Sequence, residues 1–340
     1  MAIVGAGQVG TALGLALRSK ASSKAFSKAP APVAEVALFD REPAVARASL
    51  RRGAGDRVLR RLDEALEADT LVLAVPVPAV VELVAHLGPR LRPGSFLLDT
   101  GSTKGPVVRA MRRWVPADVH ALGGHPMAGT EVAGPAGARA DLLAGAPFAL
   151  VPVREDPEAL RRGRALARAV GARPVVVDAR THDRTVARTS HLPHLLAAAL
   201  ATVAEAASRG PGGSLRSSGL DGAVRLAASD PAMVAGFLAA NGPEVRRALA
   251  ELRRALDRAA AALDRAAVAL DRAGAPDPSG PSDGPAPGLR ELERFLARAQ
   301  GAASVLRPAS EPREVWELRQ TSEPRNGRAG GRGQAPVRSR

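Results

Sequence analysis

Apolar residues recur along this chain in two rhythms, and the change from one to the other near residue 178 divides it. In the first part, short apolar runs alternate with stretches spaced at three and four residues. The runs are AIV at 2–4, EVALFD at 35–40, TLVLAV at 70–75, SFLLD at 95–99, VHAL at 119–122, PFALV at 147–151 and PVVVD at 174–178. A continuous run of this kind is what a strand covered on both faces requires, because neither side can then be polar. Helical spacing appears between the runs at 11–17, 43–52, 79–87, 107–114 and 158–170, with a weaker strand signal at Val58 and a helix at 62–67. Alternation of strand and helix predicts a doubly wound parallel sheet.

After Asp178 the strand signals stop. Residues 183–208 are almost unbroken helix-forming sequence, a glycine-rich break follows at 210–213, and helices resume at 231–240 and 245–273. Leu249, Leu256, Leu263 and Leu270 stand seven apart with Leu252, Ala259 and Ala266 between them. That is an a/d seam with small residues at d, suited to close packing in a bundle or across a dimer. An apolar stripe has to be covered, so a homodimer is expected. Nine of the fifteen residues at 274–288 are Gly or Pro, as in a linker; a short helix over 289–306 and an Arg/Pro/Gly-rich, disordered tail over 307–340 complete the chain. The expected organisation is α/β: an N-terminal Rossmann-type doubly wound sheet at 1–178, then an all-helical substrate and dimerisation domain at 179–273.

The first strand runs straight into Gly5-Ala6-Gly7-Gln8-Val9-Gly10 and then a helix. In a strand–turn–helix setting this G-x-G-x-x-G pattern predicts a dinucleotide site, with Gly5, Gly7, Gln8, Val9 and Gly10 bringing the backbone and the helix N-terminus up to a pyrophosphate. The strand starts almost at Met1, so it is either very short or begins upstream of the sequence. Asp40 ends the second strand, where a carboxylate binds a ribose 2′-hydroxyl and repels a 2′-phosphate, which points to NAD over NADP. The polar segment 19–32 lengthens the spacing between the glycines and Asp40.

Net charge is +14, but only Lys20, Lys24, Lys28 and Lys104 are lysine, the arginines are spread out, and aromatic residues make up 2% of the chain without a tyrosine. A nucleic-acid surface needs a clustered basic face and stacking rings, so no nucleic-acid partner is expected. The absence of cysteine removes disulfides, thiolate metal sites and cysteine nucleophiles. No apolar run reaches the ~20 residues of a membrane span, so the protein is expected to be cytoplasmic, without a membrane partner and without a metal.

Gly123-Gly124-His125-Pro126-Met127-Ala128-Gly129-Thr130-Glu131 follows the run at 119–122. Glycine and proline interrupt regular elements, so His125 is expected in a loop at a strand's carboxyl end, where open α/β sheets place their ligands. It is either a proton acceptor or part of a structural turn. Ser102, in Thr100-Gly101-Ser102-Thr103-Lys104-Gly105, is either a site residue or the N-cap of the helix at 107–114.

In one order, the glycine loop, 99–104, 125–131, His182-Asp183, Ser190-His191-Leu192-Pro193-His194 and Arg225-Leu226-Ala227-Ala228-Ser229-Asp230-Pro231 resemble the prephenate/arogenate dehydrogenases of tyrosine biosynthesis. HPMAGTE and SHLPH are the most specific pieces, and the resemblance covers about residues 1–273. It implies NAD-dependent oxidative decarboxylation of prephenate to 4-hydroxyphenylpyruvate, or the same reaction on arogenate. His125 would accept the proton of the substrate's 4-hydroxyl, Ser102 would contact that hydroxyl, and His194 and Arg225 would hold the substrate. Thr130 and Glu131 match a loop closing over the pocket. Gly222 and Val234 stand where the family often carries Asp and Trp near the substrate's side chain, which leaves prephenate and arogenate both open. The alternatives are a two-domain hydroxyacid or imine dehydrogenase, which usually relies on a helix lysine that this chain lacks after Lys104, and a non-catalytic NAD-binding sensor.

Overall fold

The computed structural model describes residues 1–19, 34–130, 132–208, 217–273 and 287–306. Residues 274–286 of the expected linker at 274–288, the tail at 307–340 and Glu131 lie outside them; Pro287 and Gly288, expected in the linker, begin a helix. Two compact units are present, Met1–Leu252 and Arg253–Arg340.

The first unit is built on an eight-stranded sheet. Its strands are β1 (Ala2–Val4), β2 (Ala37–Phe39), β3 (Arg57–Val58), β4 (Thr70–Leu73), β5 (Phe96–Asp99), β6 (His120–Pro126), β7 (Pro147–Pro152) and β8 (Arg173–Val176), in the order β3-β2-β1-β4-β5-β6-β7-β8. All neighbours are parallel except β6 and β7, which run antiparallel. The strand order reverses direction between β1 and β4, and there the carboxyl ends of the strands open a crevice for ligands.

Alternate residues of each strand enter separate cores. Ala2, Val4, Leu71, Leu73, Leu97 and Ala121 face one; Ile3, Val72, Phe96, Leu98 and Leu122 face the other. The first core is closed by α3 (Val77–Leu87) and α4 (Gly105–Trp114) through Val80, Val84, Val107 and Met111. The second is closed by α1 (Gln8–Arg18) and α5 (Pro157–Ala169) through Leu13, Ala16, Leu166 and Ala167. Burying each large aliphatic side chain contributes about 1.5–3 kcal/mol, so the apolar runs that predict the strands also account for their double cover. The helix α2 (Pro43–Arg51) follows β2, and 62–67 forms a 3₁₀ helix instead of an α-helix.

Every described element after β8 is helical: α6 (Ala179–Val186), α7 (Leu192–Ser208), α8 (Ser218–Val224), α9 (Pro231–Ala240), α10 (Gly242–Ala273) and α11 (Pro287–Leu306). The helix expected over 183–208 is interrupted. Ala187–His191 forms a π-turn between α6 and α7, and Pro193 explains it: a proline inside a helix removes one backbone donor and crowds the carbonyl four residues earlier. No single helix among the described residues is long and apolar enough to cross a membrane. On α10, Leu256, Leu263 and Leu270 of the heptad seam are exposed at 54%, 57% and 61%.

Candidate active site

Two constructions meet at the carboxyl edge of the sheet. The first is the glycine loop between β1 and α1. Gly5 has φ +98°, and a Cβ there would lie 2.3 Å from the carbonyl oxygen of Ala74; a Cβ on Gly10 would lie 1.9 Å from the carbonyl of Gly5. Only glycine fits either place. A Cβ on Gly7 would meet nothing within 4 Å, so the space above it is open. The first helical residues, Gln8 and Val9, follow Gly7 as an N-cap without a side-chain cap and with no acidic residue in the first turn. Helix amides left in that state are a site for a phosphate. Asp40 stands beside them: its Oδ2 accepts the Ala6 N–H at 2.9 Å, and its Oδ1 accepts the Glu42 N–H at 3.0 Å. These residues fit a dinucleotide.

The second construction is centred on His125, which lies in β6, not in a loop. It pairs with Ala149 of β7 and is 8% exposed. The glycines before it mark crowding rather than a turn. A Cβ on Gly124 would come 2.4 Å from the Asp99 carbonyl oxygen, and one on Gly123 would come 3.2 Å from the Lys104 side chain. Glycine inside a strand often marks such a close approach. Lys104 is fully buried; its ammonium pairs with Asp99 and donates to the carbonyl of Gly124, next to His125. Asp99 also accepts the N–H groups of Gly101 and Gly124.

His125 Nδ1 lies 2.9 Å from His182 Nε2, and His182 Nδ1 lies 2.8 Å from Asp183 Oδ1. The carboxylate can only accept, so His182 carries its proton on Nδ1, and its Nε2 accepts from His125 Nδ1–H. That leaves the lone pair of His125 on Nε2, which makes no hydrogen bond among the described residues. Burial first, then the nearby His182 and Lys104, hold His125 well below the usual imidazole range, so it stands neutral as a base at pH 7. Asp183 is buried, which opposes its ionisation, but hydrogen bonds from His182 and from the N–H groups of Lys104 and Gly105 hold it below the usual carboxylate range.

Those two amides open α4, so Asp183 caps that helix from across the chain. Ser102 therefore is not its N-cap: Lys104 holds that position without a side-chain cap of its own. Ser102 is drawn instead towards His191. This histidine is fully buried, stacks on Phe237 at 4.6 Å, and accepts the Asn241 side-chain amide at 3.1 Å on Nδ1. Its Nε2–H neighbours the Ser102 main chain without a well-formed hydrogen bond. Asn241 also donates to the Asp183 carbonyl at 2.8 Å, joining both histidine groups. Burial pushes the His191 imidazole down to about 4.

His194 lies one turn further on. Its Nδ1 donates to the Ser190 carbonyl at 2.9 Å, and its ring meets the edge of Phe237 at 5.2 Å. Arg225 opens the 3₁₀ turn Arg225–Ala228, which packs against α7, the helix of His194. It is exposed, and the bonds joining His125, His182 and Asp183 do not include it. Thr130 is exposed and turned to the glycine loop: Gln8 Nε2 donates to its hydroxyl at 2.5 Å, and its N–H donates to Gln8 Oε1 at 2.9 Å. Sequence reasoning gave no role to His182, Asp183, His191, Asn241, Asp99 or Lys104. The adjacent His182-Asp183 pair, standing where the strand signals have just stopped, was the signal available.

Comparison with known proteins matches residues 25–176 to the prephenate dehydrogenase nucleotide-binding domain and residues 178–269 to the prephenate dehydrogenase dimerization domain. A cyclohexadienyl dehydrogenase of Zymomonas mobilis is 31% identical over 236 residues, 68% of this chain and 80% of the relative. A prephenate dehydrogenase of Lactococcus lactis is 32% identical over 200 residues, and the matched region spans about half of that relative, 52%. In fold, the chain is similar to the prephenate dehydrogenase of A. aeolicus solved with hydroxyphenyl propionate and NAD+, at TM-score 0.74 and 23% identity, over 90% of this chain and 97% of that one. With both domains matched in order, the chain belongs to the prephenate/arogenate dehydrogenase family of oxidoreductases.

Proposed function

We propose that the protein oxidises prephenate with NAD, releasing carbon dioxide and 4-hydroxyphenylpyruvate, and that it works as a homodimer. The observation that carries this is the chain His125–His182–Asp183, which leaves one unprotonated nitrogen, His125 Nε2, for a substrate hydroxyl. When bound, NAD supplies the acceptor for the two electrons the substrate gives up. The amides of Gln8 and Val9 and the open face of Gly7 hold its pyrophosphate, and Asp40 takes the ribose hydroxyl.

His125 takes the proton of the substrate's 4-hydroxyl as the ring is oxidised. The positive charge it gains is stabilised through His182 by the Asp183 carboxylate, so the base needs no solvent contact to carry it. Ser102 sits at the hydroxyl, while His194 and Arg225 hold the substrate from the helical part; a guanidinium clamps a carboxylate through two hydrogen bonds. The exposed leucines of α10 and the match to a dimerization domain support the homodimer.

The test is turnover. Purified full-length chain given NAD and prephenate forms reduced cofactor, and a parallel reaction with arogenate compares kcat/KM for the two substrates. Reduction with arogenate alone moves the assignment to that substrate. No reduction with either leaves an NAD-binding protein without this activity.

A further inference from the structure

We infer that Gln8 is a positioning residue that couples dinucleotide binding to the chain segment following His125. Its backbone begins α1, among the amides that receive a phosphate. Its side chain points the other way, into the segment that leaves β6. Nε2 donates to the Thr130 hydroxyl at 2.5 Å and the Val132 carbonyl at 2.7 Å, with the Gly137 carbonyl at 3.3 Å; Oε1 accepts the Thr130 N–H. Both ends of the amide are in use, which fixes its orientation. The segment is shaped to admit it: a Cβ on Gly137 would lie 2.5 Å from Gln8 Nε2, and one on Gly129 3.4 Å from Oε1.

Among the described residues the segment is otherwise held mainly at its ends, where Ala128 packs against the second core and Ala138 is fully buried. At one end the Met127 N–H donates to the Pro147 carbonyl at 2.8 Å, and at the other Arg52 donates to the Ala138 carbonyl at 2.6 Å. Between these anchors Thr130 and Val132 are exposed, and Val132 buries too little to act as a core. Stretches with few buried contacts open at low free-energy cost, so the Gln8 amide, whose two N–H groups are shared among three acceptors and whose oxygen accepts the Thr130 N–H, governs how well the exposed part of this one is ordered. A phosphate held by the first turn of α1 immobilises the residue that makes them. Through linkage, a nucleotide that orders the segment lowers the cost of binding a substrate against it, and the substrate returns the same factor to the nucleotide.

The inference rests on the NAD assignment above, and the experiment separates the two. Hydrogen exchange of peptides spanning 127–138 is followed in the full chain, in Gln8→Ala and in Gln8→Met, with and without NAD, beside a calorimetric titration of NAD. In the wild type NAD is expected to slow exchange about tenfold or more; in both variants exchange is faster from the start and NAD no longer slows it. Because the amides of α1 remain, the NAD dissociation constant should change less than about fivefold. Using 3-(4-hydroxyphenyl)propionate as probe, the wild-type gain in affinity on adding NAD, typically about 5–150-fold for coupled sites, should shrink towards one in the variants. Unchanged basal exchange in both variants, or equal slowing by NAD in all three proteins, overturns the inference. So does a variant that loses NAD affinity while keeping the coupling factor, since Gln8 would then be a plain cofactor contact. Wild-type protein that does not bind NAD in the titration overturns the NAD assignment along with it.

Discussion

Replacing Asp183 by asparagine tests the histidine chain and separates it from the helix cap that the same side chain provides. The carboxylate accepts three donors: His182 Nδ1–H at 2.8 Å and the N–H groups of Lys104 and Gly105, each at 2.7 Å. An amide has one oxygen, so at least one of these donors faces an NH₂ group, at a cost of about 1–3 kcal/mol in stability. The kinetic effect has a different origin, the lost charge. When His125 takes its proton, the positive ring is 5.1 Å from the centre of His182, and the carboxylate lies 2.8 Å beyond His182. At a separation of roughly 8 Å and an effective dielectric of about 20, the carboxylate contributes about 2 kcal/mol. That is about 30-fold in kcat. The charge develops only during reaction, so KM should stay within about threefold. Reduced-cofactor formation at saturating NAD and substrate gives kcat, and denaturant unfolding of the same samples gives the stability. A variant that loses stability but keeps kcat within about twofold would refute the reasoning, because Asp183 would then be a helix cap alone. A loss expressed only in KM would refute it too.

His125→Asn should lower kcat by about 10²–10⁴ with little change in substrate KM, and Arg225→Gln should mainly raise KM; calorimetry should find NAD affinity intact in both, and a His125→Asn enzyme of near-normal kcat would move the proton to another group. Asp40→Asn keeps an acceptor for the Ala6 N–H while removing the charge, so the wild-type preference for NAD over NADP in kcat/KM should narrow by about tenfold; a wild type using NADP as well as NAD would remove Asp40 from that role. His191 has its pKa lowered by folding, so above pH ~6.5 both folded and unfolded chains are neutral there, and below it only the unfolded chain takes the proton. Stability should therefore fall between pH 6.5 and about 4, with His191 contributing roughly 3 kcal/mol of the loss at most; equal losses in wild type and His191→Gln by denaturant unfolding at pH 7 and 4.5 would show that this group is not responsible.

The sheet was legible because its strands are covered on both faces, and an unbroken apolar run such as 70–75 has no other stable home. The positions of the glycine loop and Asp40 were legible because each directly follows the end of a strand. His125 was legible as a functional candidate and misplaced in structure. The glycines before it are set by how close Asp99 and Lys104 come from β5 and α4, and proximity across a sheet leaves no local pattern. The partners of His125 were hidden for the same reason: His182 is 57 residues away along the chain, and Asn241 reaches Asp183 across 58. The π-turn before Pro193 was in principle readable from the proline alone.

The Asp99–Lys104 pair has a consequence for how the sheet assembles. Strand β6, HALGGHP, offers few side chains by which a register could be chosen, and weakly patterned strands are prone to slip. A slip of one residue against β5 would carry the Gly124 carbonyl away from the Lys104 ammonium and the Gly124 N–H away from Asp99, leaving two fully buried charged groups each short of a hydrogen bond. Each buried polar group left short of its hydrogen bond costs about 1–3 kcal/mol, and more where the group is charged. The ion pair thus favours one strand alignment: the register that seats Gly124 against it is also the one that brings His125 to His182.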